Sequence, residues 1–295
     1  MPQFTKDYVK NANLQKGFNA ELVNQLVNYI LRVLPTAKIT PIKVLDLCCG
    51  DGGVTNAIAD ALESAGIQLE KIVGYDISQE QIEVAKQYED GVNRFFKEQD
   101  VAAMSDINEY DVIISLFGLH WLADINDAAA RIHEALKPEG KLFFFVPLEK
   151  NKLFEFRQIL VNSERWKPYF NEFELKPFHY DPEIYRDAFI PFFQDENPEA
   201  ISGTQQVDFN TDRFKQFLSS WLPELRLMPT EKEKQDYLEE LINLFPEKGL
   251  TACPDVEKNS SANNDIVFYE RILFFSGEKT KASTSDPIAS PSLGA

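Results

Sequence analysis

Val44-Leu45-Asp46-Leu47-Cys48-Cys49-Gly50-Asp51-Gly52-Gly53 decides how this chain is read. An apolar run ends in a glycine cluster, and the residues that follow, Val54 to Ala65, suit a helix. The pattern predicts a strand, a tight turn and a helix start. Glycine serves where backbone takes a positive φ or must approach a ligand without Cβ interference, and the first turn of a helix offers N–H groups that lack an intrahelical partner. A nucleotide-like cofactor suits such a cradle. Further on, Ile72-Val73-Gly74-Tyr75-Asp76 ends a second short apolar run in a carboxylate suited to two ribose hydroxyls. The competing role for Asp76 is to cap the helix expected from about Ser78.

Outward from this turn the chain alternates. Apolar β-type runs at 43–48, 71–75, 93–97, 111–116 and 141–146 are separated by helical windows around 54–65, 78–89 and 124–136. Such alternation predicts parallel strands joined by right-handed crossovers, a doubly wound, Rossmann-like α/β sheet. Lys137-Pro138-Glu139-Gly140 reads as a helix stop and turn before the fifth strand. In these sheets ligands sit beyond the carboxyl ends of the strands, where Gly50, Asp76 and the end of the 111–116 run would converge. After Pro147 the texture changes, and Phe, Tyr, Trp and Pro crowd the chain without a strand-helix rhythm until a helical one resumes near Asp212.

With 295 residues, 44% of them hydrophobic, the chain can bury a sizeable core. The formal charge of −17 opposes polyanionic partners, because nucleic-acid affinity rests largely on Lys and Arg neutralising phosphates. A small molecule is therefore the expected partner, with no nucleic acid. No apolar stretch has membrane-spanning length, and Met1-Pro2-Gln3-Phe4-Thr5-Lys6-Asp7 lacks the pattern of a secretory signal. Three cysteines, two of them adjacent in the glycine turn, make neither a disulfide framework nor a zinc site, so no metal is expected and a reducing cytoplasm is.

The glycine spacing separates two cofactor classes. Gly50 and Gly52 match the first two glycines of the dinucleotide pattern G-x-G-x-x-G, but Thr55 stands at the third, and no Gly-Lys-Ser/Thr follows to make a phosphate loop. The run resembles the first motif of class I S-adenosylmethionine (SAM) dependent methyltransferases, Asp/Glu-x-G-x-G-x-G. Asp46, Gly50 and Gly52 match it, and Cys48 replaces the first glycine. The resemblance implies a seven-stranded methyltransferase sheet with a mostly helical lid insertion, and conversion of SAM to S-adenosylhomocysteine. It places Asp46 near the cationic methionine end of the cofactor, Asp76 on the ribose, and Asp100 at the adenine amino group. Asp100 reads equally as a surface loop residue. Cys48, Ile77, Val101 and Ser115 complete the implied core of the cofactor site.

Two further stretches bear on the acceptor. Tyr8, Asn11 and Gln15 in Tyr8-Val9-Lys10-Asn11-Ala12-Asn13-Leu14-Gln15-Lys16 match a Tyr-x-x-Asn-x-x-x-Gln run, and Leu119-His120-Trp121-Leu122 follows strand four. Together they resemble carboxyl methyltransferases, namely the insect juvenile hormone acid and plant salicylate/jasmonate enzymes. The resemblance implies that Tyr8 and Asn11 hold cofactor, and that Gln15 and Trp121 donate N–H hydrogen bonds to a substrate carboxylate. A carboxylate is ionised at neutral pH, so methyl transfer to it needs no general base, and an orienting role suits His120. The expected activity is O-methylation of a small, apolar carboxylic acid. The alternatives are trans-aconitate-type or acyl-carrier-type carboxyl methylation, or a SAM- or S-adenosylhomocysteine-binding regulator without turnover. Strand four lacks the Asn/Asp-Pro-Pro-Tyr/Phe run of base and amide methylation.

The expected organisation is a helical segment closing the active site over 1–35 and a SAM-binding core over 36–148. A helical, aromatic-rich lid over 149–248, final core strands over 249–275 and a disordered tail over 276–295 follow. The sequence leaves the oligomeric state open.

Overall fold

The computed structural model describes residues 13–34, 40–147, 152–170, 173, 175, 182–195, 203–209, 211–244 and 266–280. At its centre the stretch quoted above forms β1 (Ile42–Leu47). Val44 packs into a cluster on one face of the sheet, whereas Leu45 and Leu47 pack into the cluster on the other. A parallel strand covered on both faces has no fully polar side to show, which is why four of its six residues, Ile42, Val44, Leu45 and Leu47, are apolar.

Four more strands lie parallel to it: β2 (Leu69–Asp76), β3 (Arg94–Glu98), β4 (Tyr110–Leu116) and β5 (Leu136–Pro147). The long β8 (Ile266–Lys279) runs antiparallel against β5, and β6 (Phe193–Asp195) pairs with the far end of β8. The order is β3-β2-β1-β4-β5-β8-β6, the seven-stranded path expected, with an eighth strand, β7 (Gly203–Phe209), paired to the first half of β8. Reversal of strand order between β1 and β4 makes the topological switch point at which such sheets bind ligands.

α1 (Asn13–Val33) lays Val23, Leu26, Val27 and Ile30 on the sheet, the 3-4 spacing of one helix face. α2 (Gly53–Ser64) packs beside it through Ile58, Ala59 and Leu62. α3 (Gln79–Ala85) is capped by Ser78, whose Oγ accepts the Gln81 N–H, and buries Ile82 and Ala85 against Cys49 and Phe96. The opposite face carries α4 (Ile125–Ala135), capped by the Asp124 carboxylate.

The sequence boundaries need three corrections. The Lys137-Pro138-Glu139-Gly140 stop is absorbed into β5 as an irregularity: the β4 register jumps from Leu136 to Lys141, and Glu139 takes φ 64°. The segment read as helical lid also feeds the sheet. It supplies β6, β7 and α6 (Pro182–Phe189), and α6 buries Tyr185 and Phe189 in the main core. Finally, β8 runs past residue 275, because Ser276 is buried and pairs with Phe143. The remainder of the expected tail, from 281 onward, lies outside the described residues.

α5 (Lys152–Val161), α7 (Thr211–Trp221) and α8 (Glu231–Asn243) form a separate helical body. Its core holds Leu153, Trp166, Phe170, Phe214, Leu218 and Tyr237, so these aromatics serve packing. Inside it Arg157 and Glu224 make a fully buried two-pronged ion pair of 2.6 and 2.8 Å, and Tyr237 Oη also donates to Glu224.

Candidate functional site

β1 ends in a turn with three positive φ values: Cys48 at 59°, Gly50 at 57° and Gly52 at 75°. The two glycines are there for different reasons. A Cβ on Gly52 would lie 2.7 Å from Phe96 and 2.8 Å from Ala85, so this glycine lets α3 and β3 close on the turn. A Cβ on Gly50 would meet nothing within 4 Å, which leaves the Gly50 backbone open to approach by a ligand. The two roles, packing and access, match those that glycines take in nucleotide turns.

Asp46 is buried under this turn at 2% exposure, and Thr55 Oγ1 donates to its Oδ2 at 2.5 Å. Thr55 is the residue that spoils the dinucleotide pattern, and here it holds the acid in place. Burial pushes the Asp46 carboxyl up to about 7, the Thr55 hydrogen bond opposes the shift, and the Asp76 charge adds to it. A cation beside Asp46 would remove much of that cost.

Asp76 ends β2 with both oxygens engaged. Gly50 N–H donates to Oδ2 and Ser78 N–H to Oδ1, each at 2.9 Å. Burial raises its pKa, and hydrogen bonds from the Ser78, Gly50 and Ile77 backbone restrain it. Asp76 therefore spans the gap between the β1 turn and the start of α3, while Ser78 supplies the helix cap that the acid was a candidate for. Ile77 beside it is 41% exposed, an apolar plate at the rim.

Asp100, half-buried, follows β3 and caps a single 3-10 turn through Ala102 N–H at 2.9 Å; Val101 is buried in the core. The Cys48 thiol is pushed up first by burial and then by the charges of Asp76, Asp46 and Asp100. These carboxylates come from β1, the end of β2 and the turn after β3.

The fourth strand end is locked to the same turn. Ser115 is fully buried, and its Oγ donates to the Leu47 carbonyl at 2.9 Å. A Cβ on Gly118 would lie 2.5 Å from the Cys48 Cβ and 2.6 Å from Ser115 Oγ. Gly118 is thus what lets the β4 turn seat against Cys48. The turn continues as Leu119–Trp121, with His120 buried and Trp121 half-buried, their rings 4.9 Å apart. Phe117, just before it, takes φ 55° while its N–H donates to the Phe145 carbonyl at 2.8 Å.

Of the expected site residues, Asp46, Cys48, Gly50, Gly52, Asp76, Ile77, Asp100, Val101, Ser115, His120 and Trp121 fall on this one edge. Tyr8 and Asn11 lie outside the described residues, and Gln15 is on the first turn of α1 with its side chain also outside them. Sequence reasoning missed Thr55 and Gly118. Thr55 left a trace, as the polar residue where a third glycine was tested. Gly118 left none, because the contact that requires it comes from a residue 70 positions earlier. Among the described residues, no group of His, Cys, Asp and Glu is arranged to hold a metal ion, and no helix is long and apolar enough to cross a membrane.

The profile of a methyltransferase domain matches residues 18–177, more than half of the chain. Juvenile hormone acid O-methyltransferase of Drosophila melanogaster is 28% identical over 144 residues, 46% of this chain and 48% of that protein. Malonyl-[acyl-carrier protein] O-methyltransferase of Bacillus cytotoxicus is 29% identical over 137 residues, 46% of this chain and 44% of that protein. Trans-aconitate 2-methyltransferase of Streptomyces avermitilis is 29% identical over 143 residues, 47% of this chain and 51% of that protein. The chain spans about half the length of these relatives. Among solved structures, the YcgJ protein from Bacillus subtilis superposes with a TM-score of 0.53 at 17% identity, covering 88% of this chain and 98% of that one. At that identity the likeness is one of fold.

Proposed function

The chain belongs to the methyltransferase domain family, and on that premise we propose that it is a SAM-dependent O-methyltransferase that esterifies a small, apolar carboxylic acid. The observation that carries this reading is the seating of the Trp121-bearing turn on the cofactor turn, Gly118 against Cys48 and Ser115 on Leu47. It sets the turn that bears Trp121 beside the cofactor turn.

The residues present fit the cofactor. The Gly50 backbone is open to approach, Asp76 would stand at the ribose, Ile77 offers an apolar plate, and Asp46 is a buried acid with no cationic partner among the described residues. When bound, SAM supplies an electrophilic methyl group on a sulfonium. Asp46 would meet the charge of its methionine end, which would restore the ionised form that burial disfavours. Asp100 and Val101 would hold the adenine, and Tyr8 and Asn11 would add cofactor contacts.

Gln15 and Trp121 orient the acceptor carboxylate. Both are neutral donors, so they fix the anion without quenching its nucleophilicity as an ion pair would. His120 supports the Trp121 ring and transfers no proton, since the acceptor is already ionised at neutral pH. The work left to the protein is alignment and exclusion of water, which can lower a barrier by roughly 7–11 kcal/mol.

Calorimetry with SAM, then a mass-spectrometric screen of aliphatic, terpenoid and aromatic acids, tests the reading. Cofactor binding with a methyl ester as product is expected. For the acid so identified, Trp121→Phe and Gln15→Ala should each lower kcat/KM by roughly 100-fold. Unchanged turnover in both variants would remove the carboxylate clamp. An ester formed on a carrier protein or a tricarboxylate, and not on apolar acids, would favour the malonyl-carrier or trans-aconitate type instead.

A further inference from the structure

Gln81 is a polar side chain for which the fold itself supplies no purpose. It lies on α3 at 1% exposure, and neither its Oε1 nor its Nε2 has a hydrogen-bond partner among the described residues. A buried amide group left unpaired costs roughly 1–3 kcal/mol, and native chains keep few of them. An apolar residue would fill the position at less cost unless a partner arrives from outside.

Three observations fix where this carboxamide lies. Ala85, one helical turn further along α3, touches the position that a Gly52 Cβ would occupy, so α3 runs against the cofactor turn. Gln81 is one turn back from that contact, toward the carboxyl ends of the strands, and helical side chains lean toward the N-terminus of their helix. The polar chain is also continuous: Gln81 N–H donates to Ser78 Oγ, Ser78 N–H donates to Asp76 Oδ1, and Gly50 N–H donates to Asp76 Oδ2. Gln81 thus stands next in line beyond Asp76, in the first turn of the helix that follows it.

Resting on the cofactor reading above, we propose that Gln81 is a further cofactor-contacting residue, its carboxamide hydrogen-bonding the ribose hydroxyls beside Asp76. The chemistry is complementary. A hydroxyl both donates and accepts, whereas an ionised carboxylate can only accept, so Asp76 leaves the hydroxyl oxygens without a donor. The Nε2 of Gln81 supplies one. It does so without adding charge to an edge that already carries Asp46, Asp76 and Asp100.

The test is calorimetry on the full chain with S-adenosylhomocysteine and its 2′-deoxy and 3′-deoxy forms, using wild type, Gln81→Met and Gln81→Leu. Two apolar variants are carried so that failure of one to fold leaves the test intact. The expected result is a tighter unliganded fold, with a melting temperature raised by about 2–4 °C, together with an affinity for S-adenosylhomocysteine weakened about tenfold. The gap between wild type and variant should close for the deoxy form that lacks the contacted hydroxyl. A lowered melting temperature would assign Gln81 a structural partner and overturn the proposal. Equal affinities, or a gap that persists in both deoxy forms, would overturn it as well. Wild type that binds while the variants lose nothing removes this inference alone; wild type that does not bind removes the cofactor reading and this inference with it.

Discussion

At the scale of single residues, the cofactor turn stores strain in one place and charge in another. Cys48 holds φ 59°, a region that costs an L-residue about 1–2 kcal/mol and glycine almost nothing. Cys48→Gly should therefore stabilise the protein, by about 1 kcal/mol once the greater freedom of glycine in the unfolded chain, roughly 0.4–1 kcal/mol, is subtracted. Gly118→Ala should cost about 1–3 kcal/mol, since its Cβ would fall 2.5 Å from the Cys48 Cβ. The part of that loss due to Cys48 should return in the double variant, while the 2.6 Å approach to Ser115 Oγ persists, and urea melts of the four proteins in a cycle would show the coupling. Additive losses would separate the two sites. Asp46 stores charge. Its folded pKa, about 7, lies above the ordinary aspartate value of 3.8, so its contribution to stability is complete below pH 4 and is lost as pH rises toward 7. The loss runs at about 1.4 kcal/mol per pH unit inside that window and stops above it. Asp46→Asn should be less stable than wild type at low pH relative to its standing at pH 8, where it should be the more stable of the two and bind SAM more weakly. Parallel pH profiles of the two proteins would disprove the shift.

Among the elements, the helical body formed by α5, α7 and α8 depends on a charge pair that cannot reach water. Arg157 and Glu224 are almost wholly inaccessible and bond through two atoms each. Removing one partner leaves the other charge buried, a loss of roughly 3–5 kcal/mol. Glu224→Gln should therefore raise amide exchange across α5 and α8, leave the central strands protected, and retain SAM binding while acid turnover falls. Uniform loss of protection would show that this body does not open by itself. The same pair marks where sequence reading stopped. β1 to β5 were legible because each is a local apolar run, and Asp46, Gly50 and Asp76 because they hold fixed places in a strand-turn-helix unit. Arg157 and Glu224 are 67 residues apart, as Ser115 and Leu47 are 68, and no local pattern announces such pairs. The aromatic stretch was harder to place for a related reason: Trp166 and Phe170 look alike in sequence whether they line a pocket or fill a core, and they fill a core.

For the whole molecule, the formal charge of −17 acts against an anionic acceptor. Like charges slow encounter, and salt screens them over about 8–10 Å at physiological strength. For a carboxylic acid, kcat/KM should thus rise roughly two- to threefold between low and physiological ionic strength, with kcat little changed. A fall with salt would reveal a basic approach path that outweighs the net charge. The insertion and the sheet are also joined through a strand ladder. β8 pairs β7 through residues 266–272 and β5 through residues 272–278, so one uninterrupted ribbon is shared by the insertion and the core. That continuity sets the seam for chimeras. A cassette cut at 149–248 would import β7 and leave its ladder partner behind in the recipient, whereas one that carries the chain through Ile272 brings the whole β7–β8 pairing. Swapping acid preference between relatives should then succeed or fail on where the graft ends, more than on which aromatic residues it contains.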